Sequence, residues 1–238
     1  MKKRLDQLLS SLGYGSRNEV KKLIHSGAVT VGGVCVKQPN AKARHEEVRL
    51  NGELLDPPQG MVILLNKPAG VICSHDEDEG KLVYALLPQR WQQRSPKLST
   101  VGRLDKETSG LLLITDDGSL VHALTSPRKK VAKRYEVTLA QPLRGDEEAL
   151  FASGTLLLKG EKTPCLPASM EIEDETHVAL EITEGRYHQV RRMFAAAGNR
   201  VIALHRSRVG GLELESLQPG EYRLLSAGEV GLCSEEIA

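Results

Sequence analysis

Residues 101–118 read VGRLDKETSGLLLITDDG, and the order of residue types in them decides how the rest of the chain is read. An acidic residue, Asp105, stands between Arg103 and Lys106. The polar run Thr108-Ser109-Gly110 makes a tight turn that leads directly into Leu111-Leu112-Leu113-Ile114, an apolar run of the buried-strand type. Asp116-Asp117-Gly118 reads as the turn that ends the strand. A carboxylate held at the mouth of a buried strand beside fixed cations suits a nucleophile or a general base. By residue type alone, an aspartate in this position is more often a turn former.

Working outward, the chain from residue 61 onward is mostly β-branched runs separated by loops. MVILLNKPAG (61–70) starts as a buried strand and turns at Lys67-Pro68. RYEVTLA (134–140) and HVALEIT (177–183) alternate apolar and polar residues as half-buried strands do. HQVRRMFAAAG (188–198) is helical, with Val190, Met193, Phe194 and Ala197 on one face and a stop at Gly198. Many strands with few helices predict an α+β domain over residues 61–238, built on a mixed, largely antiparallel sheet.

The start of the chain has a different pattern. Leu5, Leu8, Leu9 and Leu12 form one helical stripe, ended by Gly13 and Gly15. Ser16 and Glu19 have capping-box spacing for a second helix that buries Val20, Leu23 and Ile24 and leaves Arg17, Lys21, Lys22 and His25 on its other faces. AVTVGGVCV (28–36) is a hairpin signal around Gly32-Gly33. Residues 1–57 therefore read as a small unit of two helices and a short sheet, and Asp56-Pro57-Pro58-Gln59-Gly60 reads as a linker.

Composition narrows the class. The chain has 238 residues, 40% hydrophobic and 26% charged, which is enough for a core and excludes wholesale disorder. No apolar run reaches the roughly 18 residues of a membrane span, and Asp6 and Gln7 interrupt the basic start before any signal-peptide apolar region. Cys35, Cys73, Cys165 and Cys233 are far apart with no C-x-x-C pair, as expected of reduced thiols in a cytoplasmic protein. His188 and His205 have no partner at metal-ligand spacing, so no metal is expected.

The net charge of +1 conceals a segregated distribution. Lys and Arg outnumber Asp and Glu by 10 to 6 over residues 1–57, by 11 to 4 over 81–135 and by 6 to none over 186–208. Acidic residues dominate 136–184, by 11 to 3, and 209–238, by 6 to 1. Three basic blocks suggest the footprint of a polyanion, against the plainer reading of solvated faces.

GRLDKETSGLLL (102–113) is very similar to the signature motif of the RNA pseudouridine synthases. Asn66-Lys67-Pro68 with Gly70 resembles that family's first motif, and EGRYHQVRRM (184–193) its third. Lys133-Arg134-Tyr135 resembles the segment that carries its active-site tyrosine. The stretch from Ser16 to Val31 resembles the S4 RNA-binding domain. Within the family, FAAAGN (194–199), HRSRVGG (205–211) and PGEYRLL (219–225) most resemble the branch acting on small-subunit (16S) rRNA.

The resemblance implies an rRNA-modifying isomerase that needs no cofactor. It makes Asp105 the catalytic aspartate, Tyr135 the ring that stacks on a flipped base, and Arg191 the cation paired with Asp105. Without it, Tyr135 reads equally well as a packed strand tyrosine. It makes Arg103 the side chain that fills the space the base leaves, which offsets part of the unstacking cost. Lys133, Arg186, Gln189, Arg192, Arg206 and Arg208 become RNA contacts, the arginines by default to phosphates, and Arg17, Lys21 and Lys22 the docking face of the S4-like unit. The implied partner is 16S rRNA or a small-subunit assembly intermediate, bound by a monomer. The same chemistry on 23S rRNA, or a non-catalytic assembly factor on the same scaffold, fits the same residues less closely.

Overall fold

The N-terminal leucine stripe folds as its spacing dictates. In the computed structural model, which describes residues 1–126 and 129–233, the chain forms two compact units. Arg128 of the middle basic block, and Glu235 and Glu236 of the acidic C-terminal stretch, lie outside the described residues. The first unit comprises Met1–Val62, Tyr84–Ser99 and Ile114–Gly118, and the second the remainder.

The first unit begins β1 (Lys3–Arg4), α1 (Leu5–Ser11), α2 (Arg17–His25), β2 (Val29–Val31), β3 (Val34–Cys35), β4 (Lys42–Ala43), β5 (Val48–Leu50) and β6 (Glu53–Leu54). Leu5, Leu8, Leu9 and Leu12 pack with Val20, Ile24 and Val29 into one core, while Leu23 is only half-buried. The capping box forms: Glu19 N–H donates to Ser16 Oγ, and Ser16 N–H to Glu19 Oε2 at 2.8 Å. β2 and β3 pair as an antiparallel hairpin whose turn residues, Gly32 and Gly33, both have positive φ (57° and 83°), the primed geometry that a two-residue loop requires. Together with β5 and β6 they make a four-stranded sheet.

The proline-rich segment after this sheet is not a free tether within its unit. Arg94 donates to the carbonyls of Pro57 and Pro58, each at 3.0 Å, and to Asp116 Oδ2 at 2.8 Å. Asp116 Oδ1 in turn accepts from Gly60 N–H at 2.8 Å. Both side chains of this ion pair are 0% exposed. Asp116, read from sequence as part of the turn that ends the strand, follows the strand Thr108–Thr115 as expected but is buried in this ion pair, and Gly118 already opens the next helix. The reason is local: the carbonyls and the amide of residues 57–60 need partners, and Arg94 with Asp116 supplies them.

The second architecture is an α+β fold. Its elements are β7 (Val62–Lys67), β8 (Ser99–Thr100), β9 (Thr108–Thr115), α3 (Gly118–Thr125), β10 (Lys133–Leu139), α4 (Glu147–Ala152), β11 (Ser169–Ile172), β12 (His177–Ile182), α5 (Gln189–Ala196), β13 (Val201–Val209), β14 (Leu212–Glu213), β15 (Tyr222–Leu224) and α6 (Ala227–Leu232). The main sheet runs β11-β12-β10-β13-β9-β7-β15, with β14 beside β13 and β8 beside β9. β9 and β13 pair in parallel, whereas β10–β12, β10–β13, β11–β12 and β7–β15 are antiparallel, so the sheet is mixed and largely antiparallel. β7 is buried along its whole length, as an unbroken apolar run requires. Phe194 of α5 meets Phe151 of α4 edge to face at 5.0 Å.

Gly110 is required where β9 meets β13: a Cβ there would stand 2.2 Å from the carbonyl oxygen of Arg206. The glycine of the Thr-Ser-Gly run thus allows the strand that follows Asp105 to lie against β13.

Breaking the Arg94–Asp116 pair leaves one charge buried without a partner, so Asp116→Ala is expected to destabilise the protein by about 3–5 kcal/mol. The double change Arg94→Met with Asp116→Leu is expected to recover only part of that loss, because it removes the buried charge but leaves the carbonyls of Pro57 and Pro58 and the amide of Gly60 without their partners. Urea unfolding midpoints of the two variants check both statements.

Candidate active site

Asp105 lies in the loop before β9, and the loop is fastened from beneath by one lysine. The Lys67 ammonium, fully buried at the end of β7, donates to four carbonyls: Thr108 at 2.7 Å, Pro68 at 3.0 Å, and Asp105 and Lys106 at 3.2 Å each. Three N–H donors serve four acceptors, so at least one is shared. Burial pushes the Lys67 pKa down, opposed by the charges of Cys73, Glu107 and Asp105. Gly70 N–H to the Lys106 carbonyl (2.8 Å) and Thr108 N–H to the Asp105 carbonyl (3.0 Å) complete the fastening.

The loop holds the Asp105 carboxylate at the rim of a pocket of about 420 Å³. Arg103, Lys133, Tyr135, Arg186, His188, Gln189 and Arg206 line the same pocket. Tyr135 lies on β10, nearly buried, with Arg206 of β13 as its register partner. Arg206 is also buried and donates from Nε to the Leu111 carbonyl at 2.9 Å. The pocket therefore has a carboxylate at its edge, an aromatic face in its wall and Arg103 exposed at its mouth. Lys133 is desolvated there, which lowers its pKa to about 8, with the nearby Arg206 charge adding to the effect.

Several expected contacts are arranged differently. Arg191 does not pair with Asp105: its guanidinium donates to the carbonyls of Val201 at 3.3 Å and Glu107 at 3.2 Å. It braces the backbone two residues beyond the carboxylate, because those carbonyls at the beginnings of β9 and β13 need donors. The ring beside the carboxylate is His188, with Nε2 3.4 Å from Asp105 Oδ1. His188 occupies the left-handed region (φ 49°, ψ 34°) at the start of α5 and stacks on Tyr187 at 3.8 Å. A non-glycine residue in that conformation costs of order 1–3 kcal/mol and persists only where its surroundings enforce it. Its position in the HQV phrase carries no sequence signal for this, since backbone conformation at a helix entry is not written in residue type.

The arginines expected to contact phosphates are mostly engaged with the protein. Arg186 donates to the carbonyls of Thr163 and Pro164 and pairs with Glu184 at 3.1 Å. Arg192 pairs with Glu161 at 2.9 Å and also holds the carbonyls of Tyr187 and Lys159. Arg208 pairs with Glu181 at 2.5 Å, and Arg134 with Glu171 at 2.7 Å. Gln189 is buried, accepting from Arg186 N–H and donating to Glu184 Oε1, and so braces the loop. The acidic block 136–184 folds against the basic block 186–208, so charges segregated along the chain interleave in space. In the first unit Arg17, Lys21 and Lys22 are all exposed on α2. No group of three or more His, Cys, Asp or Glu side chains among the described residues is arranged to hold a metal ion.

Lys67 is the residue that sequence reasoning left without a role. Lys67→Met orphans four carbonyls under the loop, and a shift of the carboxylate by about 1 Å is enough to cost ~10²-fold in rate. We expect kcat to fall by about that factor or more while the unfolding midpoint shows a folded protein. Lys133 gives a second expectation. Its pKa is about 8 when folded and about 10.4 unfolded, so between those values the unfolded chain binds more protons and stability rises with pH. Lys133→Met should flatten that rise, as read from melting temperatures between pH 7.5 and 10.

Comparison with known proteins agrees with this geometry. Residues 61–196 match the RNA pseudouridylate synthase family, and residues 3–49 match the S4 domain. The chain is 43% identical over 230 residues to ribosomal small subunit pseudouridine synthase A of Pasteurella multocida, covering 95% of this chain and 97% of that protein. It is 44% identical over 229 residues to the protein of the same name from Vibrio cholerae, with the same coverage. A crystal structure of a pseudouridylate synthase superposes with a TM-score of 0.68 at 41% identity, covering 97% of this chain and 99% of that one. The chain belongs to the RNA pseudouridylate synthase family and carries an N-terminal S4 domain.

Proposed function

We propose that this protein isomerises uridine to pseudouridine in ribosomal RNA of the small subunit. The observation that carries the reading is Asp105, held on a braced loop at the rim of a pocket whose wall is Tyr135. In this reading Asp105 is the nucleophile. The N-glycosidic bond of the target uridine is exchanged for a C-glycosidic one. The ring carbon that takes the sugar gives up its proton and the freed ring nitrogen gains one, so the reaction balances without an oxidant or an energy source.

Tyr135 offers its face to the flipped base, as aromatic side chains do for unstacked RNA. Arg103, exposed at the mouth, fills the gap left in the RNA, which offsets part of the few kcal/mol of unstacking. Arg191 acts through the loop backbone and His188 through its contact with the carboxylate; both are positioning residues. Arg17, Lys21 and Lys22 give the N-terminal unit, residues 1–57, an exposed basic face for docking on rRNA, and residues 61–238 carry the reaction. The free cysteines accord with a cytoplasmic protein, and no helix among the described residues is long and apolar enough to cross a membrane. The reading takes the protein to act as a monomer on naked 16S rRNA or on an assembly intermediate.

The test is carbodiimide-dependent primer extension across 16S and 23S rRNA, naked and in assembly intermediates, with wild-type protein and Asp105→Asn. One new stop in 16S rRNA is expected with the wild type. The variant should lose about 10⁴-fold or more in turnover while its rRNA affinity stays within about threefold, since phosphate contacts dominate affinity. A stop in 23S rRNA would reject the substrate but retain the chemistry. Silence on every substrate would leave a binding factor.

A further inference from the structure

Outside the catalytic pocket, the second unit has an open groove of about 770 Å³ at the C-terminal end of α5. Arg191, Gly198, Asn199 and Arg200 line it, and no carboxylate does. Arg144 borders it: a Cβ on Gly198 (φ +80°) would stand 2.5 Å from Arg144 Nη2, so the guanidinium is seated directly against the glycine. Arg134, Arg186, Arg192 and Arg208 each pair with a carboxylate. Among the described residues Arg144, Arg191 and Arg200 form no ion pair. Arg144 lies near enough to Glu147 to lower its pKa, but the Glu147 oxygens are turned onto the backbone N–H groups of Arg144 and Gly145.

The groove is rigid before any ligand arrives. The buried Asn199 accepts from the N–H groups of Gln141 (3.3 Å) and Arg200 (2.8 Å) and donates to the Gln141 carbonyl (2.8 Å). Ala140 N–H donates to the Arg200 carbonyl at 2.8 Å. Arg144 is also placed where the C-terminal carbonyls of α5 favour a cation. Three guanidiniums on a fixed backbone, none of them in an ion pair among the described residues, are the chemistry that recognises phosphate oxygens.

We propose that this groove binds the phosphodiester backbone of the RNA strand flanking the target nucleotide. Two features tie it to the pocket. Arg191 faces the groove and also donates to the Glu107 carbonyl of the Asp105 loop. His188 in the pocket and Gly198 in the groove are joined by α5, ten residues or about 15 Å at 1.5 Å per residue. RNA leaving the pocket along α5 meets Arg191 first, then Arg144 and Arg200. This deepens the proposed function and rests on rRNA occupying the Asp105 pocket.

The experiment uses the full-length protein with Arg144→Gln and Arg200→Gln, singly and together, and a 16S rRNA transcript as probe. Equilibrium binding is measured between 50 and 200 mM KCl, and initial rates at 150 mM. For the double variant we expect a salt slope shallower by about 1.4, at about 0.7 per single-strand phosphate contact, a KM about tenfold higher and kcat within twofold. Arg200→Gln, at an exposed position, should show about half the change in slope. The lysine pair Arg144→Lys and Arg200→Lys should restore the slope, because a phosphate needs only the charge, whereas packing on Gly198 would not be restored.

An unchanged slope and KM in the double variant overturns the proposal, and so does a fall in kcat with slope and KM intact. The binding series is repeated on an Asp105→Asn background, where no turnover is needed. If the wild type makes no pseudouridine, the function reading fails, while the slopes still decide the groove.

Discussion

A single buried ammonium holds the site together. Lys67 ends the most buried strand of the sheet and directs its charge at the backbone of the loop bearing Asp105. Placing a lysine there costs several kcal/mol in lost hydration. Charge-assisted bonds to four carbonyls offset that cost, and they exist only if the loop adopts this one path. The constraint therefore runs in both directions: the loop keeps the charge solvated, and the charge keeps the loop in place. Arg191 braces the same loop at Glu107 from the α5 side, and Gly110 lets the following strand close on β13. The carboxylate is thus positioned by groups that never touch it, apart from His188.

Charge is managed by the same logic on a larger scale. Basic and acidic residues lie in separate blocks of sequence, yet Arg134, Arg186, Arg192 and Arg208 each find a glutamate once β10, β12 and the α5 entry come together. These partly exposed pairs contribute little stability individually. Their consequence is one of selection: they neutralise three of the six arginines in residues 186–208 and leave Arg191, Arg200 and Arg206 without an ion pair among the described residues. The same economy governs the segment after the first sheet, where the fully buried Arg94–Asp116 pair gathers the carbonyls of Pro57 and Pro58 and the amide of Gly60.

Much of the fold was legible because it depends on periodicity and on local chemistry. The stripe from Leu5 to Leu12, the Ser16–Glu19 box, the Gly32-Gly33 hairpin and the helix ended by Gly198 are short-range patterns, and all appear where they are expected. The site was legible where a motif names the residue, as for Asp105 and Tyr135, which line one pocket. It was not legible where function depends on what a long side chain reaches. Arg186 and Gln189 read as RNA-facing and Arg191 as the partner of Asp105, yet Arg186 and Gln189 are committed to protein partners and Arg191 donates to backbone carbonyls instead of the carboxylate. Lys67 and His188 lie inside stretches that resemble family motifs but were given no role, His188 because its backbone conformation is invisible in sequence, Lys67 because its partners are carbonyls.

Residue type and spacing by themselves determined the elements and the α+β class, whereas the acidic residue at the mouth of the sheet stood out only through its likeness to a family motif. Hydrophobic period and turn chemistry act over a few residues, and the chain cannot escape them. Tertiary structure alone decided which cations remain free, which carboxylate is buried and which ring stands beside Asp105. Those outcomes depend on pairings between residues tens of positions apart, such as Lys67 with Thr108 or Arg94 with Asp116, and distances across a folded sheet are set by register, which no local pattern records.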